Sequence, residues 1–132
     1  MELRGRAISK GVAVGEALVT SQPISFLGGV DPSTGTIIDK GHELLGKQVK
    51  GKVLVFPFGK GSTVGTYVIY QLAKSGLAPA AIVNTRTEPI VAVGAIISGI
   101  PAVDCLETDP VKAIRPDAKV EVDGTNGRVR VY

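Results

Sequence analysis

Lys52-Val53-Leu54-Val55-Phe56-Pro57-Phe58-Gly59-Lys60-Gly61-Ser62-Thr63 is the stretch that decides the fold. Val53 to Phe58 is an apolar run of strand length, without the alternation of a half-exposed strand. Such continuity belongs to a strand buried on both faces, as in a parallel sheet. A glycine-rich turn follows, and Val64, Tyr67, Val68 and Leu72 then recur at helical spacing. Lys74 and Gly76 stand where that helix ends.

Downstream the pattern repeats. Ala80 to Asn84 is a second apolar strand. Thr87 can cap a helix with Glu88 and Pro89 in its first turn, running through Ile90 to Ser98. That helix is apolar almost all round and is expected to be buried. Gly99 to Asp104 returns as a strand. The result is a parallel strand–helix–strand–helix–strand segment, which implies right-handed crossovers. Lys119 to Val122 and Arg128 to Val131 read as a closing hairpin around the turn Asp123 to Gly127.

Upstream, glycine punctuates short strands. Leu3 to Ile8 alternates apolar with charged residues, and Val12 to Thr20 reads as a strand broken at Gly15. Asp31-Pro32-Ser33-Thr34-Gly35 is turn chemistry, Thr36 to Asp39 a short strand, and Gly41 to Gly46 a connection. The fold class is therefore α/β. A glycine-rich, mostly β segment and a parallel β/α segment share one core in one domain spanning 1–132.

Composition narrows the chemistry. The 132 residues suffice for one domain that needs no staples, and 44% hydrophobic content excludes disorder. The 17 glycines and 8 prolines favour tight turns over a helical bundle. One cysteine and one histidine exclude a disulfide framework, a multi-histidine metal site and a self-contained iron–sulfur site. The net charge of +3 is scattered and not clustered as for nucleic acid. No apolar stretch approaches a membrane span, and the N-terminus lacks a signal-peptide core. The expectation is a soluble, cytoplasmic chain that binds no nucleic acid and no membrane.

Gly59-Lys60-Gly61-Ser62-Thr63 lies between a buried strand and a helix, where open α/β sheets bind ligands. Glycines allow close backbone approach, and free N–H groups with the helix dipole favour an anion. Lys60 adds a full charge. The spacing is not that of a Walker loop. The same segment also fits a plain turn in which Ser62 caps the helix. Arg86 occupies the equivalent position after the next strand, so two helix N-termini, Lys60 and Arg86 are expected to frame a carboxylate or phosphate pocket. Arg86 also fits a surface role beside a cap. His42 and Asp31 read as structural, and Cys105 as a buried inert thiol.

Three stretches then carry a resemblance: Gly11 to Val19, Pro23 to Pro32, and Val53 to Gly65. Together they resemble the small subunit of the aconitase X family, in order and over nearly the whole chain. The resemblance implies a swivelling β/β/α barrel, the counterpart of the aconitase swivel domain. It implies a separate large subunit carrying an iron–sulfur (4Fe-4S) cluster, with no cofactor on this chain. It implies a hydro-lyase, active only as a heterodimer, that dehydrates (R)-5-phosphomevalonate to trans-anhydromevalonate 5-phosphate in the archaeal mevalonate pathway of isoprenoid biosynthesis. In aconitases a Gly-Ser motif supplies the catalytic base, and Gly61-Ser62 matches it. Aconitases continue that motif with a serine and an arginine. Here Thr63 and Val64 follow, so the usual clamping arginine is missing. The expected site is Ser62 as base, with Gly59, Lys60, Gly61, Thr63 and Arg86 holding substrate and no metal.

Two related readings stay open. Other family members dehydrate cis-3-hydroxy-L-proline. Gly11 to Ala17 also resembles the opening of the phosphohistidine-carrying swivel domain of phosphoenolpyruvate-utilising enzymes, although Gly41-His42-Glu43 lacks that domain's histidine motif. A non-catalytic subunit that only closes a partner's cleft is a third possibility.

Overall fold

The computed structural model describes all residues, 1–132. In order, the chain forms β1 (Glu2–Arg4), β2 (Arg6–Ser9), β3 (Val12–Val19), β4 (Ile24–Ser25), a one-turn α1 (Phe26–Gly29) and β5 (Val53–Phe56). It continues with β6 (Gly59–Lys60), α2 (Gly65–Lys74), β7 (Ala81–Asn84), α3 (Pro89–Ser98) and β8 (Ala102–Asp104). It ends with α4 (Pro110–Ala113), β9 (Lys119–Asp123) and β10 (Arg128–Val131).

The apolar run is what the sequence suggests. All four residues of β5 are buried, and so are all four of β7. β5 pairs parallel to β7, and β7 parallel to β8. Because side chains alternate across a strand, the two faces feed two clusters. Leu54, Phe56 and Ile82 join α2, α3 and the 24–49 segment in one. Val53, Val55, Ala81 and Val83 join β9, β10 and Ile114 in the other. The expectation of one shared core is corrected accordingly: the parallel strands separate two.

The sheet order is β1-β10-β9-β3-β5-β7-β8-β2. β1 and β2 lie at its two ends, yet only Gly5 separates them in sequence. One segment thus pairs with β10 through its first half and with β8 through its second, which closes the sheet into the expected barrel. A Cβ on Gly5 would lie 2.3 Å from the Asp104 carbonyl oxygen, so this corner requires glycine. The single strand read over Leu3 to Ile8 is two strands for this reason. Conversely, Val12–Val19 runs unbroken through Gly15. Its first half is antiparallel to β9 and its second parallel to β5.

Three further expectations change. Thr36 to Asp39 contributes only isolated bridges, not a strand. Glu88, not Thr87, caps α3; the Thr87 hydroxyl donates instead to Asn84 Oδ1 at 3.1 Å. And α3 is not buried all round. Val91, Gly94 and Ala95 face the core, whereas Val93, Ile96 and Ile97 are exposed. Gly94 sets the close approach of α2, since a Cβ there would lie 2.7 Å from Ile69 Cδ1.

Candidate active site at the C-terminal ends of the parallel strands

Beyond β5, Gly59–Lys60 forms a short parallel ladder with Ile24–Ser25. Gly61 turns the chain at φ +90°, a conformation that glycine adopts at little cost and residues with a side chain rarely do. A Cβ there would also lie 2.5 Å from Ser25 Oγ. Ser62, Thr63 and Val64 then wind into α2.

Ser62 is exposed, and its Oγ accepts the Val64 N–H at 3.1 Å. It closes a local turn ahead of α2 and stays exposed; the helix itself is capped at Val64 without a side-chain bond, so Ser62 is not its cap. The N–H groups of Gly61, Ser62 and Thr63 find no acceptor within the protein. Three unpaired donors ahead of the positive end of a helix have the chemistry to receive an anion. Lys60 and Arg86 are both exposed, and neither joins any of the chain's ion pairs.

The loop after β7 lies alongside, as expected from parallel pairing. The Arg86 N–H donates to the Pro57 carbonyl at 3.2 Å. Arg86 lines a cavity of about 430 Å³ with Phe58, Thr87, Glu88 and Pro89. Thr63 lines the adjoining groove of about 320 Å³, which shares Pro89. The two helix N-termini are tied together, because the Thr66 hydroxyl donates to the Ile90 carbonyl at 2.8 Å. Only one of them is open, however. The Glu88 carboxylate already accepts the first N–H groups of α3, so that helix end is closed to a substrate anion.

A buried network holds the second loop. Asp104, fully buried at the end of β8, accepts two bonds from the Arg6 guanidinium, at 2.7 and 2.9 Å. It also accepts the Thr87 N–H at 2.6 Å. Burial pushes its carboxyl pKa up, but the Arg6 and Thr87 hydrogen bonds outweigh burial and hold it below the ordinary carboxylate value. The Asn84 amide donates to the Phe56 carbonyl at 3.0 Å, joining β7 to β5 at the rim. None of Arg6, Asn84, Glu88 or Asp104 was singled out from sequence. A polar residue closing an apolar strand, as at Asn84 and Asp104, is the signal that was available.

The remaining candidates separate from the site. His42 is buried; its Nδ1 accepts the Leu44 N–H at 3.1 Å, and its Nε2 donates to the Pro23 carbonyl at 3.2 Å. Both ring nitrogens are engaged, which leaves no imidazole free to carry phosphate. Asp31 accepts from Ser33 within its own turn. Cys105 is exposed, contrary to expectation, at φ +50°, because β8 ends one residue earlier and turns outward. No three histidine, cysteine, aspartate or glutamate side chains are grouped to hold a metal ion. The donor set of this chain thus does not fit a cluster of its own. A charged cleft between Glu2, Glu121, Asp123, Arg128 and Arg130 is filled by ion pairs among those residues. No helix is long and apolar enough to cross a membrane.

A self-closed sheet with parallel βα units and an exposed serine in the loop beyond its central strand has the architecture of a swivel-type α/β domain. The family model for the aconitase X swivel domain matches residues 2–131, and the chain belongs to that family. The phosphomevalonate dehydratase small subunit of Methanocella arvoryzae is 63% identical over 131 residues, 99% of this chain and 99% of that one. The protein of the same name from Methanosarcina acetivorans is 57% identical, over 99% of this chain and 91% of its own. The crystal structure of Thermococcus kodakaraensis aconitase X in its holo form superposes with a TM-score of 0.95 at 49% identity, covering 100% of this chain and 98% of that one.

Proposed function

We propose that this chain, acting as one swivel unit, is the small subunit of a cytoplasmic two-subunit hydro-lyase, active only with its large subunit. The enzyme dehydrates (R)-5-phosphomevalonate to trans-anhydromevalonate 5-phosphate. The names of the archaeal relatives support the substrate. The observation that supports the reading is Ser62 standing exposed in a loop whose Gly61, Ser62 and Thr63 N–H groups are unpaired, in a chain where neither Lys60 nor Arg86 joins an ion pair.

The substrate is anionic at both ends, a carboxylate and a phosphate. Gly61, Ser62 and Thr63 N–H groups and Lys60 hold one end, with Gly59 giving the backbone room to approach. Arg86 meets the other from its own cavity. Hydroxyproline carries a single carboxylate and leaves one of these cations unused, which favours the phosphorylated substrate. Ser62 Oγ takes the proton from the carbon beside the carboxylate. The C–H pair becomes the new double bond, and the hydroxyl on the next carbon departs as hydroxide, which becomes water on taking a proton from solvent. A serine alkoxide is costly in water, but the N-terminal dipole of α2 and the Lys60 charge stabilise it here. The large subunit's iron–sulfur cluster supplies Lewis-acid chemistry for the departing hydroxyl when bound.

The test is Ser62→Ala assembled with the large subunit under anaerobic conditions. Turnover should fall at least about a hundredfold, the scale of losing a positioned base, while melting and co-purification stay parental. Turnover close to the parent overturns the serine base. Running cis-3-hydroxy-L-proline in parallel decides the substrate class.

A further inference from the structure

The Ser62 loop is gripped from a second element, and the grip has a feature that helix capping alone does not explain. Glu88 sits at the N-cap of α3 in extended conformation. Its Oε2 accepts the Ile90 N–H at 2.7 Å, and Val91 adds longer bonds. Short side chains (Ser, Thr, Asp, Asn) serve that position best. Glutamate is one methylene longer, and the extra reach places Oε1 3.1 Å from the N–H of Gly59, in the neighbouring loop. The fit is close on both sides. A Cβ on Gly59 would lie 2.5 Å from Glu88 Oε1, so glycine is what lets the carboxylate in.

Gly59 is buried and is held on its other side by the ladder to Ile24. Ser62, three residues on, is exposed, and its side chain bonds only within its own turn. Its backbone is held on one side by α2, where the Gly65 N–H donates to the Ser62 carbonyl at 2.9 Å, and on the other by Gly59. Glu88 also lines the Arg86 cavity, but its carboxylate oxygens are taken up by Gly59, Ile90 and Val91. From this geometry we infer that Glu88 is a positioning residue: it fixes the Ser62 loop against α3, so that the hydroxyl meets the substrate proton at reacting distance. The inference rests on the serine-base reading above.

Two conservative variants separate this role from capping. Glu88→Asp keeps the charge and a good N-cap but cannot reach Gly59. Glu88→Gln keeps the length needed to reach Gly59 but has one acceptor oxygen for the two N–H groups and no charge at the α3 N-terminus. With the assembled complex, Glu88→Asp should lower kcat about tenfold to a hundredfold, with KM within about threefold. Glu88→Gln should melt lower than the parent and lose less kcat than Glu88→Asp. A purely structural cap predicts the reverse order, and that result overturns the inference. In the ¹⁵N-labelled full chain, the Gly59 amide proton should move upfield in Glu88→Asp; an unmoved resonance also overturns it. Ser62→Ala is measured alongside. If Ser62→Ala retains turnover, the serine base fails and this inference with it. If Ser62→Ala is inactive and Glu88→Asp turns over like the parent, only the positioning role fails.

Discussion

Adding one methyl group at position 59 tests the architecture of the site most directly. Gly59 is not at positive φ, so Gly59→Ala strains no backbone torsion. Its whole effect is steric. The new Cβ would stand 2.5 Å from both Glu88 Oε1 and Val91 Cγ2, about 0.9 Å short of the 3.4 Å at which ordinary contact begins. Val91 is fully buried at the start of α3 and cannot rotate into solvent. Either α3 or the Gly59 loop must therefore move by the better part of an ångström. Overpacking of this kind costs about 1–3 kcal/mol. For a domain of this size each kcal/mol lowers Tm by about 3–5 °C, so the expected loss is about 3–15 °C. A displacement near 1 Å at a reacting group costs up to about a hundredfold in rate. Calorimetric melting of the chain and kcat of the assembled enzyme should thus fall together. Gly46→Ala is the control. It sits at φ +88° with nothing within 4 Å of a Cβ, so it should cost about 1–2 kcal/mol and leave kcat alone. A Gly59→Ala protein with parental Tm and kcat would refute the reasoning.

Gly61→Ala combines positive φ with a Cβ 2.5 Å from Ser25 Oγ; it should destabilise by about 1–2 kcal/mol and, unlike Gly46→Ala, also depress kcat. The Asp104 carboxyl is held below its ordinary pKa, so its ion pair contributes stability that is complete above about pH 4 and is lost as pH falls through the folded value. The Tm gap between the parent and Asp104→Asn should therefore be widest near neutral pH and narrow in acid; a gap constant down to about pH 2.5 contradicts the assignment. Leu54→Ala empties a fully buried position and should cost about 2–5 kcal/mol by urea unfolding. Ile96→Ala, at 56% exposure, should stay within about 0.5 kcal/mol, and comparable costs at the two sites would mean that the outer face of α3 is packed.

Local chemistry made much of this chain legible beforehand. The apolar runs at Val53–Phe56 and Ala81–Asn84 could be satisfied only by burial on both faces, and that forced parallel pairing. Parallel pairing of adjacent strands brought the loops bearing Ser62 and Arg86 side by side. The helical spacing from Val64 to Leu72 needed no tertiary information, because a 3.6-residue period is a property of the sequence itself. The burial of α3 was misjudged for the converse reason: composition alone cannot say whether an apolar face has a neighbour.

What the sequence by itself determined, then, was the type and order of the central parallel βα elements and of the closing hairpin, and that Ser62 stands in the loop between a buried strand and a helix. Those depend on residues close together along the chain. What only the tertiary structure decided was everything joining distant segments. The barrel closes because Gly5 lets one segment pair with β10 and then with β8, across 98 residues in the case of Arg6 and Asp104. Glu88 reaches Gly59 across 29 residues, and in doing so closes one helix end and leaves the other open. Such contacts depend on which side chains the fold brings within about 3 Å of one another, and no local pattern encodes that distance.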